Sequence, residues 1–172
     1  MTDREKAISA LREAGCSKKI IQHCLTVERT ALALAKKIVS RGHNLDLRLV
    51  SLGALLHDIG RARTHGIKHG VEGAKILRER GLGKFARFAE CHIGAGIPAT
   101  EAKELELPAR DFVPRTTEEK VVTYADKLVM GGKKTSYKRA VDWFRSELGP
   151  EHPAIKRFEE LHLEIEKLSA EK

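Results

Sequence analysis

Four ionisable side chains stand where the surrounding pattern calls for burial. His23 lies three residues after Ile20 and four before Val27, on the apolar stripe of a helical pattern, and Asp126 lies four after Val122 and three before Val129. His57 and Asp58 follow directly on LVSLGALL (49–56), the most apolar run of the chain. A buried carboxylate must find a counter-charge or give up its own by taking a proton. Neutral imidazoles and carboxylates together form the donor set of a divalent transition ion such as Mn, Fe, Ni, Co or Zn. The negative end of a helix terminating near Ile59 would add to the attraction. Taken singly, each residue also has an ordinary meaning: a core histidine bonded to a carbonyl, or an aspartate paired with a core Arg or Lys. Spacing alone leaves both meanings open.

The elements that must position these residues read as helices, and the fold class is all-α. Ile8, Leu11 and Ala7 share a face over 3–14, with Gly15 placed to stop that helix. Ser17 caps a long helix that runs to Gly42 through Ile20, Val27, Ala31, Leu34 and Ile38. Asp46 caps the next, expected to end at about Ile59 with Gly60 as its terminator. Further helices are expected near 69–80, 83–92, 116–130, 136–148 and 153–169; Thr116 and Glu119 have capping-box spacing. No segment alternates convincingly with period two. Residues 58–68 and 93–115 read as loops, the second with a short helix over 100–106 and placed to act as a lid that sets substrate choice. Phe158, Leu161, Ile165 and Leu168 form a stripe that packs on the body of the chain or on a second copy, so a homodimer is possible. Trp143, Phe144, Tyr137 and Phe158 read as core or dimer-contact aromatics.

Composition narrows the class. The 172 residues are 41% hydrophobic, enough for a core, and 33% charged with mixed signs, unlike a disordered tail. The chain is expected to fold as one domain over 1–172. No apolar run approaches the roughly 20 residues of a membrane span, and MTDREKAISA lacks the apolar segment of a signal peptide. Three cysteines at no paired spacing point to a reducing cytoplasm. One Gln and one Asn among abundant Lys, Arg and Glu suggest a thermophile. The formal charge is +8, concentrated in 36–87, where twelve Lys and Arg meet four Asp and Glu. Such a surplus suits phosphates, on a nucleotide or on RNA, or else a solvated surface.

At the chemistry-bearing residues the chain resembles a known family. His23, LLHDIGR at 55–61 and YADKL at 124–128 are similar to the H...HD...D pattern of the HD-domain metal-dependent phosphohydrolases, in the version written HDIG and in the archaeal single-domain branch. The likeness runs from about 17 to 132, leaving 133–172 as a helical extension. It implies an all-helical core of five helices, with N- and C-terminal helices beside it, and His23, His57, Asp58 and Asp126 as metal ligands. HGVEGAKIL at 69–77 and ECHIG at 90–94 also resemble segments of HDIG and HD-GYP relatives, which makes His69 and His92 candidate ligands of a second ion. HD-GYP proteins carry a histidine pair and a GYP segment there; this chain has one histidine followed by GAGIP, so cyclic-di-GMP hydrolysis is not implied.

The implied reaction is hydrolysis of a nucleotide or other small phosphate ester, because such an ion activates water and polarises a phosphoryl oxygen. Asp58 is the choice for the catalytic carboxylate, with Arg61 and Lys127 as the cations facing the phosphoryl oxygens. His65 reads as a loop histidine. Cys24 and Cys91 diverge by about 100° from their histidine neighbours and read as small buried hydrophobes, not ligands. The alternatives are an RNA-associated phosphodiesterase, or a non-catalytic module that binds a metal or a nucleotide.

Overall fold

Oxygen-bearing side chains begin the first three helices. Thr2, Ser17 and Asp46 each accept a hydrogen bond from the backbone N–H three residues on, starting α1 (Asp3–Ala14), α2 (Lys18–Ser40) and α3 (Leu47–Leu56). At Thr2 the bond is reciprocal, since the Glu5 side chain accepts from the Thr2 N–H. A computed structural model describes residues 1–170 of the chain. Beyond α3 come a 3₁₀ turn (Ile59–Ala62), α4 (His69–Glu79), a 3₁₀ turn (Gly83–Phe85) and α5 (Ala86–Cys91). Then follow a 3₁₀ turn (Ile93–Ala95), α6 (Ala99–Glu104), α7 (Thr117–Lys127), strands β1 (Val129–Met130) and β2 (Lys133–Lys134), α8 (Tyr137–Leu148) and α9 (Pro153–Ser169).

The all-α class holds, with a hairpin of four paired residues as the exception. Helix α2 packs along α3 and α7, and α4 packs on α5 and on the turn after α3. These five helices share the main core with α1, α8 and α9; in it Leu11, Val27, Ile38, Leu55, Leu56, Leu77 and Val122 are sealed from solvent. The stripe of α9 is buried within the chain at Phe158, Leu161 and Ile165. No helix among the described residues is long and apolar enough to cross a membrane.

Several element ends differ from the sequence reading, each for a local reason. Helix α3 stops at Leu56 and not near Ile59, because the His57 Nδ1–H donates to the Ala54 carbonyl at 2.6 Å, the acceptor that the next helical N–H would have used. Gly60 is therefore no terminator. It lies inside the 3₁₀ turn, pressed on α4 so closely that a Cβ there would sit 1.8 Å from the His69 carbonyl oxygen and 2.5 Å from the Gly73 nitrogen. Helix α7 ends at Lys127, short of 130, since Val129 and Met130 pair with Lys134 and Lys133 across Gly131–Gly132, both at positive φ (58° and 76°). Two consecutive left-handed residues are what a two-residue hairpin turn demands, and glycine meets that demand without strain.

Thr116 caps α7, but its partner Glu119 turns away to the Arg115 N–H and the Arg87 guanidinium, so the capping box is half formed. The 83–92 helix divides into a 3₁₀ turn and α5, and α6 is shorter than expected. The 93–115 stretch folds on its own small cluster of Ile97, Ala102, Leu107 and Phe112, closed by the Ile97–Phe112 bridge.

The Gly60 contact makes a stability test. Gly60→Ala is expected to lower the unfolding free energy by about 1–3 kcal/mol in urea titrations. Gly73→Ala, whose Cβ would meet Ala89 Cβ and the Gly60 nitrogen at 3.1 Å, should cost less.

Candidate metal centre

Three histidines enter the site at element ends and are aimed in the same way. His57 follows α3, His92 follows α5, and His69 opens α4. Each donates Nδ1–H to the carbonyl three residues before it: His57 to Ala54 at 2.6 Å, His69 to Gly66 at 2.8 Å and His92 to Ala89 at 2.9 Å. A carbonyl can only accept, so each Nδ1 bears the proton and each neutral ring presents a bare Nε2. Those nitrogens converge. His69 Nε2 and His92 Nε2 are 3.0 Å apart, and they stand 3.2 and 3.4 Å from Asp58 Oδ1. His23, from the second turn of α2, places its Nε2 2.9 Å from Asp126 Oδ1, near the end of α7, and 3.8 Å from Asp58 Oδ2.

His57 Nε2 and Asp58 Oδ1 are fully buried and have no hydrogen-bond partner among the described residues. His57 Nε2 sits 3.3 Å from Asp126 Oδ1 without bonding to it. Lone pairs facing lone pairs and carboxylate oxygens in a dry interior repel, and a cation resolves the repulsion. Two donor groups lie within 4.8 Å internally: His23, His57 and Asp126, and His57, Asp58 and His92. The nitrogen and carboxylate donors fit a divalent transition ion. His69, through its contacts with His92 and Asp58, extends the second group. All six residues proposed from the sequence as ligands thus meet in one place.

The two aspartates are built alike. Asp58 turns Oδ1 to the histidines and Oδ2 to Arg61 Nε at 2.8 Å; Asp126 turns Oδ1 to the histidines and Oδ2 to Lys127 Nζ at 2.6 Å. Burial would raise both carboxyls. An imidazole of His69 or His92 that carries a proton toward Asp58 more than reverses this there, and the Lys127 charge with His23 and His57 does so at Asp126, so both stay well below the usual range. His92 is pushed down to about 4 by burial, against the pull of Asp58, and is neutral at neutral pH. Burial also lowers His57, but the Asp126 carboxylate beside it prevails and its pKa rises. In the ion-free chain a proton can therefore stand at His57 where an ion would otherwise sit.

The cluster opens into a cavity of about 640 Å³. Arg61 and Lys127 line it, each tied to a carboxylate; Lys127 does not face solvent, its side chain being 10% exposed. The exposed His65 stands in the wall as well. Cys24 and Cys91 are buried, and burial raises both thiols, as small core hydrophobes require. The lid expectation fails: of residues 93–115 only Ile93 and Gly94 reach the cavity, because the remainder is drawn onto its own cluster and tied by Arg110 to Glu90.

The wall is instead completed by the hairpin residues Val129–Gly132, by Ser17 and Lys19 of the α2 start, and by Trp143 and Phe144. Sequence reading missed these. Trp143 is 44% exposed and so is no core residue. Lys19 has no ion-pair partner among the described residues. The Gly-Gly pair was the available signal for the hairpin; nothing in the spacing distinguished Trp143 from a packing aromatic.

Comparison with known proteins places these residues in a family context. The HD domain profile matches residues 20–131. The uncharacterized protein MJ0778 of Methanocaldococcus jannaschii is 50% identical over 165 residues, 95% of this chain and 97% of its own. Proteins named tRNA (cytidine(56)-2'-O)-methyltransferase from Thermoplasma volcanium and Picrophilus torridus are 42% and 38% identical over 93% and 95% of this chain. The chain spans about half the length of those two, 46% in each case. No solved structure matches.

Adding Mn, Ni or Zn at about a hundred times its dissociation constant is expected to stabilise chelator-treated protein by about 2.7 kcal/mol, read as a shift in melting temperature. Asp126→Ala should remove that shift. The shift should also shrink as pH falls from about 8 to about 5, since protons compete for the imidazoles.

Proposed function

The chain belongs to the HD-domain family, and on that premise we propose that it is a metal-dependent phosphohydrolase acting on a nucleotide or other small phosphate ester. The observation that carries this reading is the pair of buried atoms His57 Nε2 and Asp58 Oδ1, which have no hydrogen-bond partner among the described residues and stand among nitrogen and oxygen donors. In this reading His23, His57, Asp58 and Asp126 hold one ion, and Asp58 with His69 and His92 provides for a second. A divalent ion held there supplies water activation at neutral pH and polarisation of the phosphoryl group.

The remaining work belongs to the chain. Asp58 reaches the cavity and, with its Oδ2 steadied by Arg61, orients the attacking water and accepts its proton. Water oxygen bonds to phosphorus as the ester P–O bond breaks, and the released alcohol takes a proton from solvent at the mouth, where His65 stands. Arg61, Lys127 and Lys19, which has no ion-pair partner among the described residues, face the phosphoryl oxygens. Arg61 and Lys127 already balance the two carboxylates, so a bound cation would leave the site net positive, as a phosphate dianion requires.

Asp58→Asn keeps the shape of the side chain. It is expected to reduce turnover of a cleaved phosphate ester by about 10²–10⁴-fold while the circular dichroism stays helical; unchanged turnover in that variant would sink the reading.

A second reading, RNA as the substrate, has its own support. Two relatives that cover nearly all of this chain bear the name of a tRNA-modifying enzyme, and this chain carries a charge of +8. Methyl transfer is not carried over, because the name belongs to chains about twice as long. On the RNA reading, tRNA binding in filter assays should weaken linearly in log K against log salt. Absence of binding at low salt would leave the small nucleotide alone.

A further inference from the structure

The cavity is lined by two kinds of residue. One kind is the ionic cluster. The lining also includes the apolar and aromatic residues Ile93, Val129, Met130, Phe144 and Trp143. Trp143 stands on α8, outside the family-matched residues 20–131, on a helix that buries only Ala140 and Val141. Its ring meets Phe144 in a T-shaped contact at 4.9 Å between centroids, and Phe144 is held in turn by Phe158 of α9 at 5.6 Å. An indole 44% exposed forfeits much of the gain from burial, yet this one is braced from beneath and turned to a charged cavity.

A phosphate ester that reaches the ionic cluster must lay its organic part somewhere in about 640 Å³. That volume falls within the range of pockets that hold whole small molecules. Apart from the residues of the ionic cluster, the wall offers few side chains to bond hydroxyls, Ser17 and His65 among them, and so suits a polyol poorly. It does offer the rings of Trp143 and Phe144. From this, and resting on the phosphohydrolase reading, we infer that the substrate carries a nucleobase that stacks on Trp143, with Trp143 as a specificity-determining residue. The chemistry is shared by a free nucleoside monophosphate and by a phosphorylated terminal nucleotide of RNA.

Trp143 is the single tryptophan of the chain, so its emission reports on stacking directly, whether or not turnover occurs. Titrating the chelator-treated wild-type protein, which cannot turn the ester over, with adenosine 5′-monophosphate should quench that emission saturably, whereas ribose 5-phosphate should not. In the metal-loaded wild-type chain, kcat/KM for the nucleotide should exceed that for ribose 5-phosphate. Trp143→Ala should reduce this ratio about 5- to 150-fold, with Trp143→Phe retaining most of it.

Unquenched emission together with equal kcat/KM for the two esters overturns the inference and leaves the phosphohydrolase reading standing. Saturable quenching with no ester cleaved upholds the base site and removes the hydrolase. Emission that responds to protein concentration and not to nucleotide overturns the inference in favour of a contact between copies of the chain. A short oligoribonucleotide with a terminal phosphate, run beside the mononucleotide, separates the sources: the better substrate of the two names the origin of the stacked base.

Discussion

Three hydrogen bonds from imidazole Nδ1 to the carbonyl three residues back govern the centre. They fix which nitrogen carries the proton, hold the ring planes, and leave Nε2 bare and pointing inward at His57, His69 and His92. At His57 and His92 the same bond accompanies the end of a helix, whose last carbonyls need donors in any case. Ending the helix and aiming the ligand are one event there. The ordinary meaning of a buried histidine, a ring bonded to a carbonyl, is thus no rival to ion binding; the carbonyl occupies one nitrogen and frees the other.

The carboxylates repeat this logic in charge. Asp58 and Asp126 each spend one oxygen on a cation of the cavity wall and keep the other for the histidines. Arg61 and Lys127 therefore serve the site before any substrate arrives: Arg61 orients Asp58, and Lys127 orients Asp126 and holds it ionised. An incoming cation meets a centre whose own charges are balanced, and its charge remains available to an anion. Lys19, with no such tie among the described residues, is left to meet a phosphate.

How legible this was depended on whether a residue broke a pattern. His23 and Asp126 interrupt apolar stripes, and His57–Asp58 closes the most apolar run, so periodicity exposed them. His69 opens a helix and His92 follows one, where no stripe exists to be broken, and only family likeness marked them. The lid expectation failed because three prolines advertise a loop without telling where it packs; Ile97, Leu107 and Phe112 take it to a cluster of its own. Trp143 stayed hidden because an aromatic in a helix reads as core unless the fold shows an open space beside it. The end of α7 was misplaced for a related reason: Val129 continues the helical spacing in sequence while pairing as a strand in space.

The two halves of the centre are carried by different helices, and where α4 meets the turn after Asp58 they touch through bare backbone. Gly60 rests on the His69 carbonyl and the Gly73 nitrogen with no room for one more carbon. Such a contact works as a mechanical stop. Side-chain repacking elsewhere can loosen the surroundings, but the gap between the Asp58 and His69 donors is gauged by atomic radii, a ruler that neither sequence drift at the surface nor thermal breathing of the core readily recalibrates.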